Sequence, residues 1–508
     1  MDTSEYPSRI NNIFYGLQKQ EPSYRTEFPQ DLPYDPGATS SLFELNYLPT
    51  KTTPLILGIL AIFLLYVFLR KNFRLSILLP ALLSLALLLT VLGPIRLPSI
   101  LRFNTILGFV KFLGLVLAGF SIVQILQKRS IEFFKTSSIL PIGLYVISLL
   151  LSVFVMTNVT FFWNDFSIVV TGLLFYYLSF SFFSWTETKK ILIGFSWLVA
   201  AASGIVILVF VSRSFGSNLV SFLYPKYEVF VFMHDLIRGR IFSIIDFEYF
   251  TPCLVFAYIV YAKRKQFINK YLLLMIIGLS LGAIVLVNYR YRFLTFGLGF
   301  ALMWLFLSEE RKKFVKPLLT VMGLLFGVYI AVSLIYSRST IIDRFLLRNY
   351  HEDKLSVDRR LVMYGQALEL FTQAPVLGVG LGNYKDNVQI VYSRFGGRVY
   401  EPYYKILQNV YAYPHNWYLT VLAENGIVGF VVLLWMLMRF FEIDFRLSKT
   451  LRLEQLWTFA ALSSISWLYL FANLFTMMHV SLPMVIIFWA CRGMIERIHS
   501  EHARQRLA

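Results

Sequence analysis

The chain has 508 residues, enough for about three soluble domains, but 57% of them are hydrophobic and only 15% are charged. So little charge cannot cover a soluble surface, which in a typical soluble protein draws on about 25% charged residues. A net charge of +18 would point to nucleic acid in a soluble chain. Here Lys and Arg are assigned to short loops that face the cytoplasm and anionic lipid, and no nucleic-acid partner is expected.

Residues 1–52 read as a polar tail rich in Pro and Tyr, in which no cleavable signal peptide is expected. Beyond it, apolar runs long enough to cross about 30 Å of hydrocarbon recur at 54–70, 75–93, 105–126, 138–156, 166–184, 189–212, 249–262, 271–288, 293–307, 317–336, 426–438, 455–474 and 480–491. Such continuous runs exclude a β-barrel, whose strands alternate. The expected fold is all-α: a polytopic transmembrane helical bundle of about 12–13 spans, with membrane lipids as surroundings. Its parts are the tail 1–52, a helical region 53–336 interrupted by an outer loop at 213–248, a large and mainly helical outer loop at 337–425, C-terminal helices over 426–491, and a basic tail at 492–508.

Basic clusters at Arg70/Lys71/Arg74, Lys128/Arg129/Lys135, Lys189/Lys190, Lys263/Arg264/Lys265, Arg311/Lys312/Lys313 and Arg439/Arg446/Lys449 alternate with segments poor in base such as TNVTFFWND and TMMHV. The positive-inside rule puts the basic set and the C-terminus in the cytoplasm and both long loops outside. An odd number of spans then leaves the N-terminal tail outside. Two cysteines, Cys253 and Cys491, both in apolar segments, provide neither a disulfide framework nor a CxxC site.

Of the six histidines, His499 and His502 fall in the basic tail and read as solvated, while His234, His351, His415 and His479 fall outside. No ligand spacing such as HExxH joins them, so no metal and no cofactor are expected. His415 stands apart. In AYPHNWYLTVLAENGIVGF, Pro414 ends a loop, a short helix follows over about 416–424, and Gly426 is placed to cap it before the last spans begin. A histidine there, mostly neutral at an ordinary pKa near 6.5, is either a general base or an interfacial packing residue. Glu424 reads as a helix-end carboxylate at the interface.

Arginines gather on the same side. NYRYRF sets Arg290 and Arg292 at a short outer turn, RGRIFS sets Arg238 and Arg240 before a span, and Arg359 and Arg360 open an amphipathic helix in the large loop. Snorkelling to headgroups accounts for single arginines. Three groups converging outside point to a polyanion such as a diphosphate, which guanidinium grips bidentately without a metal. GVGLG lacks the GK[ST] ending of a nucleotide loop and reads as a tight turn beside Pro375.

RGRIFS, the span-opening YRF, an R-x-x-x-Y-x-x-A-L stretch running into PVLGVGLGNY, and then PHNWYLTVLAENGIVG resemble, in this order, the O-antigen ligase and polymerase superfamily over about residues 230–440. The last two pieces are the specific ones. Departures are Tyr291 where the family commonly has a small residue before the arginine, and IIDFEYF after RGRIFS. The resemblance implies a GT-C-like bundle in the bacterial inner membrane with its site facing the periplasm. It implies Arg240, Arg292 (or Arg290 in its place) and Arg360 on the diphosphate of an undecaprenyl-diphosphate-linked glycan donor. His415 would then take the proton from a hydroxyl of the acceptor, lipid A-core or a growing glycan, with inversion and without metal. A ligase is the first expectation, a polymerase the second. A solute transporter, the alternative of another class, predicts mid-membrane charges and paired broken helices, which the sequence largely lacks apart from Lys111.

Overall fold

The computed structural model describes residues 75–90, most of 110–119, 136–211, parts of 297–307, 350–388, 414–475 and 481–507, with His479 and a few isolated positions besides. All the described helices lie in one compact unit, Glu44–Ala508, and no strand occurs among the described residues. The N-terminal tail and the expected spans at 54–70, 249–262, 271–288 and 317–336 lie wholly or almost wholly outside them.

The helices are α1 (Leu75–Thr90), α2 (Ile139–Leu151, continued by a 3-10 turn to Phe154), α3 (Val159–Phe182), α4 (Trp185–Val211), α5 (Tyr350–Gln373), α6 (Trp417–Thr450), α7 (Leu453–Ala472) and α8 (Leu482–Leu507). Their starts follow local chemistry. Asn158 caps α3, its side-chain oxygen accepting from the N–H groups of Thr160 and Phe161 at 3.0 and 3.3 Å. Asn416 caps α6, accepting from Leu419 at 3.1 Å. Both side chains satisfy amides that a helix start leaves without partners.

Among the described residues, α3 and α6 are long and apolar enough to cross a membrane. Their exposed surfaces agree with that use. On α6, Val431, Leu434, Trp435, Met438, Phe441 and Phe445 are all exposed, a stripe of large apolar side chains that water would not tolerate and lipid would. The opposite face, with Leu433, Met436, Phe440, Ile443 and Leu447, is buried.

Helix α8 sits at the centre of the packing, against α3 and α7. Its approach to α3 depends on two glycines: a Cβ at Gly172 would meet Trp489 at 2.3 Å, and one at Gly493 would meet the Tyr176 carbonyl oxygen at 2.2 Å. Small residues at a crossing let two apolar helices gain dispersion contact in lipid, where no hydrophobic force drives them together.

Three corrections to the sequence reading follow. Arg492, counted there with the basic tail, is completely buried: α8 runs on through it, and its guanidinium donates twice to Asp444 of α6, at 2.8 and 3.0 Å. Asp444 also accepts from Ser463 (2.6 Å) and Trp467 (2.7 Å) of α7, and the guanidinium lies 4.2 Å over the Phe440 ring. One buried carboxylate thus joins α6, α7 and α8. His499, read as solvated, is half-buried, its ring 3.4 Å from the Ser137 hydroxyl; nearby, Ser138 donates to Glu496. Helix α5 begins at Tyr350, so Arg359 and Arg360 stand in its interior and not at its start.

Removing one partner of a buried pair strands the other charge. Arg492→Ala should therefore destabilise the protein by about 3–5 kcal/mol, whereas Arg492→Met combined with Asp444→Leu should recover most of the loss. Thermal unfolding of the purified protein in detergent reads both.

Candidate functional site

The segment after α5 and the start of α6 are locked together by backbone. After α5 the chain turns through Pro375–Tyr384 and lies along the kink where α6 changes direction at Gly426 (φ 61°, ψ −163°). Four main-chain hydrogen bonds form this seam: Val379 to the Ala423 carbonyl (3.0 Å), Gly380 to Glu424 (2.9 Å), Ile427 to Pro375 (2.8 Å) and Val428 to Val376 (3.3 Å). Gly378 and Gly426 make the approach possible. Both have positive φ, and a Cβ on either would fall 2.3 Å from the other strand's backbone. The tight turn expected beside Pro375 is therefore present, and its glycines serve the closeness of two backbones.

The same turn reaches α3. Asn383, fully buried, accepts on its side-chain oxygen from the backbone N–H groups of Thr157 (3.1 Å) and Asn158 (2.5 Å) and from the Thr157 hydroxyl (2.9 Å). Glu424 differs from its sequence reading. It is 2% exposed, and its carboxylate accepts from the backbone N–H groups of Gly382 and Tyr384. A carboxylate that the sequence places at the interface is thus drawn inward by the amides of the turn. Lys385, with its ammonium 5.5 Å from the centre of the Phe161 ring, feels the charges of Asp165 and Glu424, while burial holds its pKa below the ordinary lysine value.

His415 lies just before the Asn416 cap, in left-handed backbone (φ 51°), which is uncommon outside glycine. What holds it there is the far end of α7. The Asn473 carbonyl accepts from Trp417 N–H at 2.8 Å, and the Asn473 side-chain oxygen accepts from His479 N–H at 2.8 Å. One residue thus ties the turn of His415 to the turn of His479, whose ring stacks on Trp417 (6.1 Å between centroids, 17° between planes). The Tyr364 hydroxyl brings α5 in by donating to Leu474 at 3.4 Å.

Helix α5 also delivers Arg360 close enough for its charge to act on His415. Burial first, and then Arg360, lower the His415 pKa from 6.5 to about 4. Burial and the neighbouring His415 lower His479 further, to about 3. Both rings are therefore neutral at neutral pH and able to accept a proton. Beneath them is a small cavity of about 40 Å³ whose lining includes Asp165, Thr420, Glu424, Asn425, Tyr469 and His479.

Of the residues singled out by sequence, the structure brings Arg360 to His415. Arg240, Arg290 and Arg292 lie outside the described residues. Asn383, Asn473 and His479 were not picked out as site residues. For His479 the signal was its place on the outer side; Asn473, inside an apolar run, gave none. No cluster of three metal-ligating side chains occurs among the described residues.

Two helices long and apolar enough to cross a membrane, one of them with an exposed apolar stripe, thus stand beside a buried histidine turn with an arginine near it. A family model described as O-antigen ligase matches residues 273–434, a segment that contains Arg290, Arg292, Arg360, His415 and the whole seam. The match covers less than half of the chain and supports the O-antigen ligase and polymerase superfamily, a family of membrane enzymes of the glycan ligase or glycosyltransferase type that act on glycans and lipids. No curated protein matches the chain.

At the crossing, Gly378→Ala or Gly426→Ala should lower the unfolding temperature and loosen the histidine turn, because neither the positive φ nor the 2.3 Å approach admits a methyl group. Gly365→Ala on α5, with nothing within 4 Å of the new Cβ, should be neutral or stabilise by about 0.4–1 kcal/mol. Comparing the three unfolding temperatures checks this.

Proposed function

We propose that the protein is an O-antigen ligase-like transferase of the bacterial inner membrane, a GT-C-like bundle of about 12–13 spans with its site facing the periplasm. It moves a glycan from undecaprenyl diphosphate to a hydroxyl of lipid A-core or a similar acceptor. The observation that carries this reading is the His415 turn: a neutral imidazole in forced left-handed backbone, with an arginine from the large loop beside it, inside the segment that the family model matches.

His415 takes the acceptor's hydroxyl proton as the oxygen attacks the anomeric carbon, and the C–O bond to the diphosphate breaks with inversion. A diphosphate leaves readily once its charge is neutralised, so guanidinium groups and one base suffice. Arg360 stands where it can serve both ends of this chemistry. It grips phosphate, and it opposes the charged form of His415 so that the base stays free. Arg240 and Arg292, or Arg290, complete the diphosphate clamp in this reading; Arg290 and Arg292 fall within the matched segment and Arg240 before it.

His415→Ala should abolish transfer while the protein still inserts in the membrane. In a host lacking the wild-type gene, long glycan should disappear from lipopolysaccharide and accumulate on the lipid carrier. If only single repeat units remain, the protein is a polymerase; if both pools are unchanged by deletion, neither role holds.

The pH dependence has a definite sign. A base acts when neutral, so kcat/KM should fall on the acid side with an apparent pKa near 4, the value burial and Arg360 give His415. Arg360→Gln removes the opposing charge, and the acid limb should move up towards the ordinary histidine value. Initial rates between pH 3.5 and 8 at low donor concentration measure it.

A further inference from the structure

The cavity beneath the histidine turn contains an amide with nothing to bond. Asn425 is 2% exposed, and neither its Nδ2 nor its Oδ1 has a hydrogen-bond partner among the described residues. Its stem is folded over Gly429, where a Cβ would meet the Asn425 Cβ at 2.3 Å, so the side chain is held at the cavity. A buried amide that both donates and accepts calls for a ligand that does the same, and the space suits about two water molecules. His479 forms the part of the wall that reaches towards the base: Trp417 stacks on its ring and Asn473 fixes its backbone.

We propose that His479 and water bound at Asn425 form the path by which His415 is cleared of the proton it takes from the acceptor. This rests on the transfer reading above. In the transfer step the acceptor O–H bond breaks and its oxygen bonds to the anomeric carbon. The electrons of the C–O bond leave with the diphosphate, and the proton goes to His415. His415 then gives a proton to one ring nitrogen of His479 while the other nitrogen releases one to a cavity water. The water passes a proton to the Asp165 carboxylate, which lines the same cavity. His415 is neutral again while the products are still bound, and His479 has changed tautomer. When the products leave, the reverse hops return the proton to the outside water and restore the tautomer.

The direction of transfer follows from the charges around the pair. Arg360 on α5 repels a proton from His415; Asp165 on α3 stands at the other end, in the wall of the same cavity, near Lys385 of the glycine turn. Tyr145 of α2 and Tyr469 of α7 complete the titratable groups of the wall. Because burial and His415 disfavour a charged His479, the ring hands protons on without keeping one.

The experiment uses the full-length protein in proteoliposomes with a lipid-linked glycan donor. His479→Gln, which hydrogen-bonds but cannot relay, should lower kcat on the order of 10²-fold with the donor KM unchanged. His479→Ala should regain part of that rate with added imidazole. Asn425→Leu, which expels the water, should lower kcat with the same unchanged KM, and the solvent deuterium isotope effect on kcat should rise in both. Wild-type kcat and isotope effect in His479→Gln and Asn425→Leu would overturn the proposal. So would a His479→Gln loss that merely parallels a fall in unfolding temperature, with no imidazole rescue of His479→Ala. Should His479→Gln fail to insert, Asn425→Leu alone decides. Wild-type transfer in His415→Ala would instead sink the transfer reading, so the two failures are told apart.

Discussion

Where Gly378 crosses Gly426, two main chains meet with no side chain between them, and the candidate site depends on that meeting. The four hydrogen bonds of the seam lay the turn after α5 along the kink of α6. With the loop so fixed, Gly382 and Tyr384 aim their amides at Glu424, Asn383 holds the start of α3, and α5, which runs directly into the turn, is brought to lie beside His415. A side chain at either glycine would hold the backbones apart and undo each of these contacts together.

The site is also held from the other direction. Asn473 uses both its main-chain and its side-chain carbonyl to bind the turns of His415 and His479. The left-handed backbone of His415 is unfavourable by itself for a residue with a Cβ, so it persists only because its surroundings over-determine it. Strain of this kind belongs with a side chain whose direction matters more than its comfort. The two neutral rings lie between the arginine and a cavity whose wall holds Asp165 and Glu424.

Much of the architecture was legible from the sequence. The apolar runs gave α1, α2, α4 and α7 to within a few residues of their observed ends, since the length needed to cross hydrocarbon is a strong constraint; α3 starts seven residues earlier than its run, at Val159, where Asn158 caps it. Pro414 and Gly426 marked the two ends of the short helix after His415, and Gly426 does interrupt α6. What the sequence hid were residues whose partners are distant along the chain. Glu424 looked interfacial because nothing near it shows that amides 40 residues away turn towards it. Arg492 looked like part of a basic tail because its partner, Asp444, lies on another helix. Asn473 sat unnoticed in an apolar run, and His479 was expected on the same side as His415 but given no role. The arginines of 240, 290 and 292 lie beyond the described residues.

The pair of Arg492 and Asp444 bears on how the chain is assembled. Helix α6 is made before α8, so during synthesis a carboxylate waits on one helix for a guanidinium that is still to emerge. Ser463 and Trp467 of α7, which arrive in between, can occupy that carboxylate meanwhile. The C-terminal helices would then join as a set, with α8 arriving last and bringing the matching charge. A nascent chain cut short before α8 would carry an acid without its guanidinium, a mark by which unfinished copies differ from complete ones.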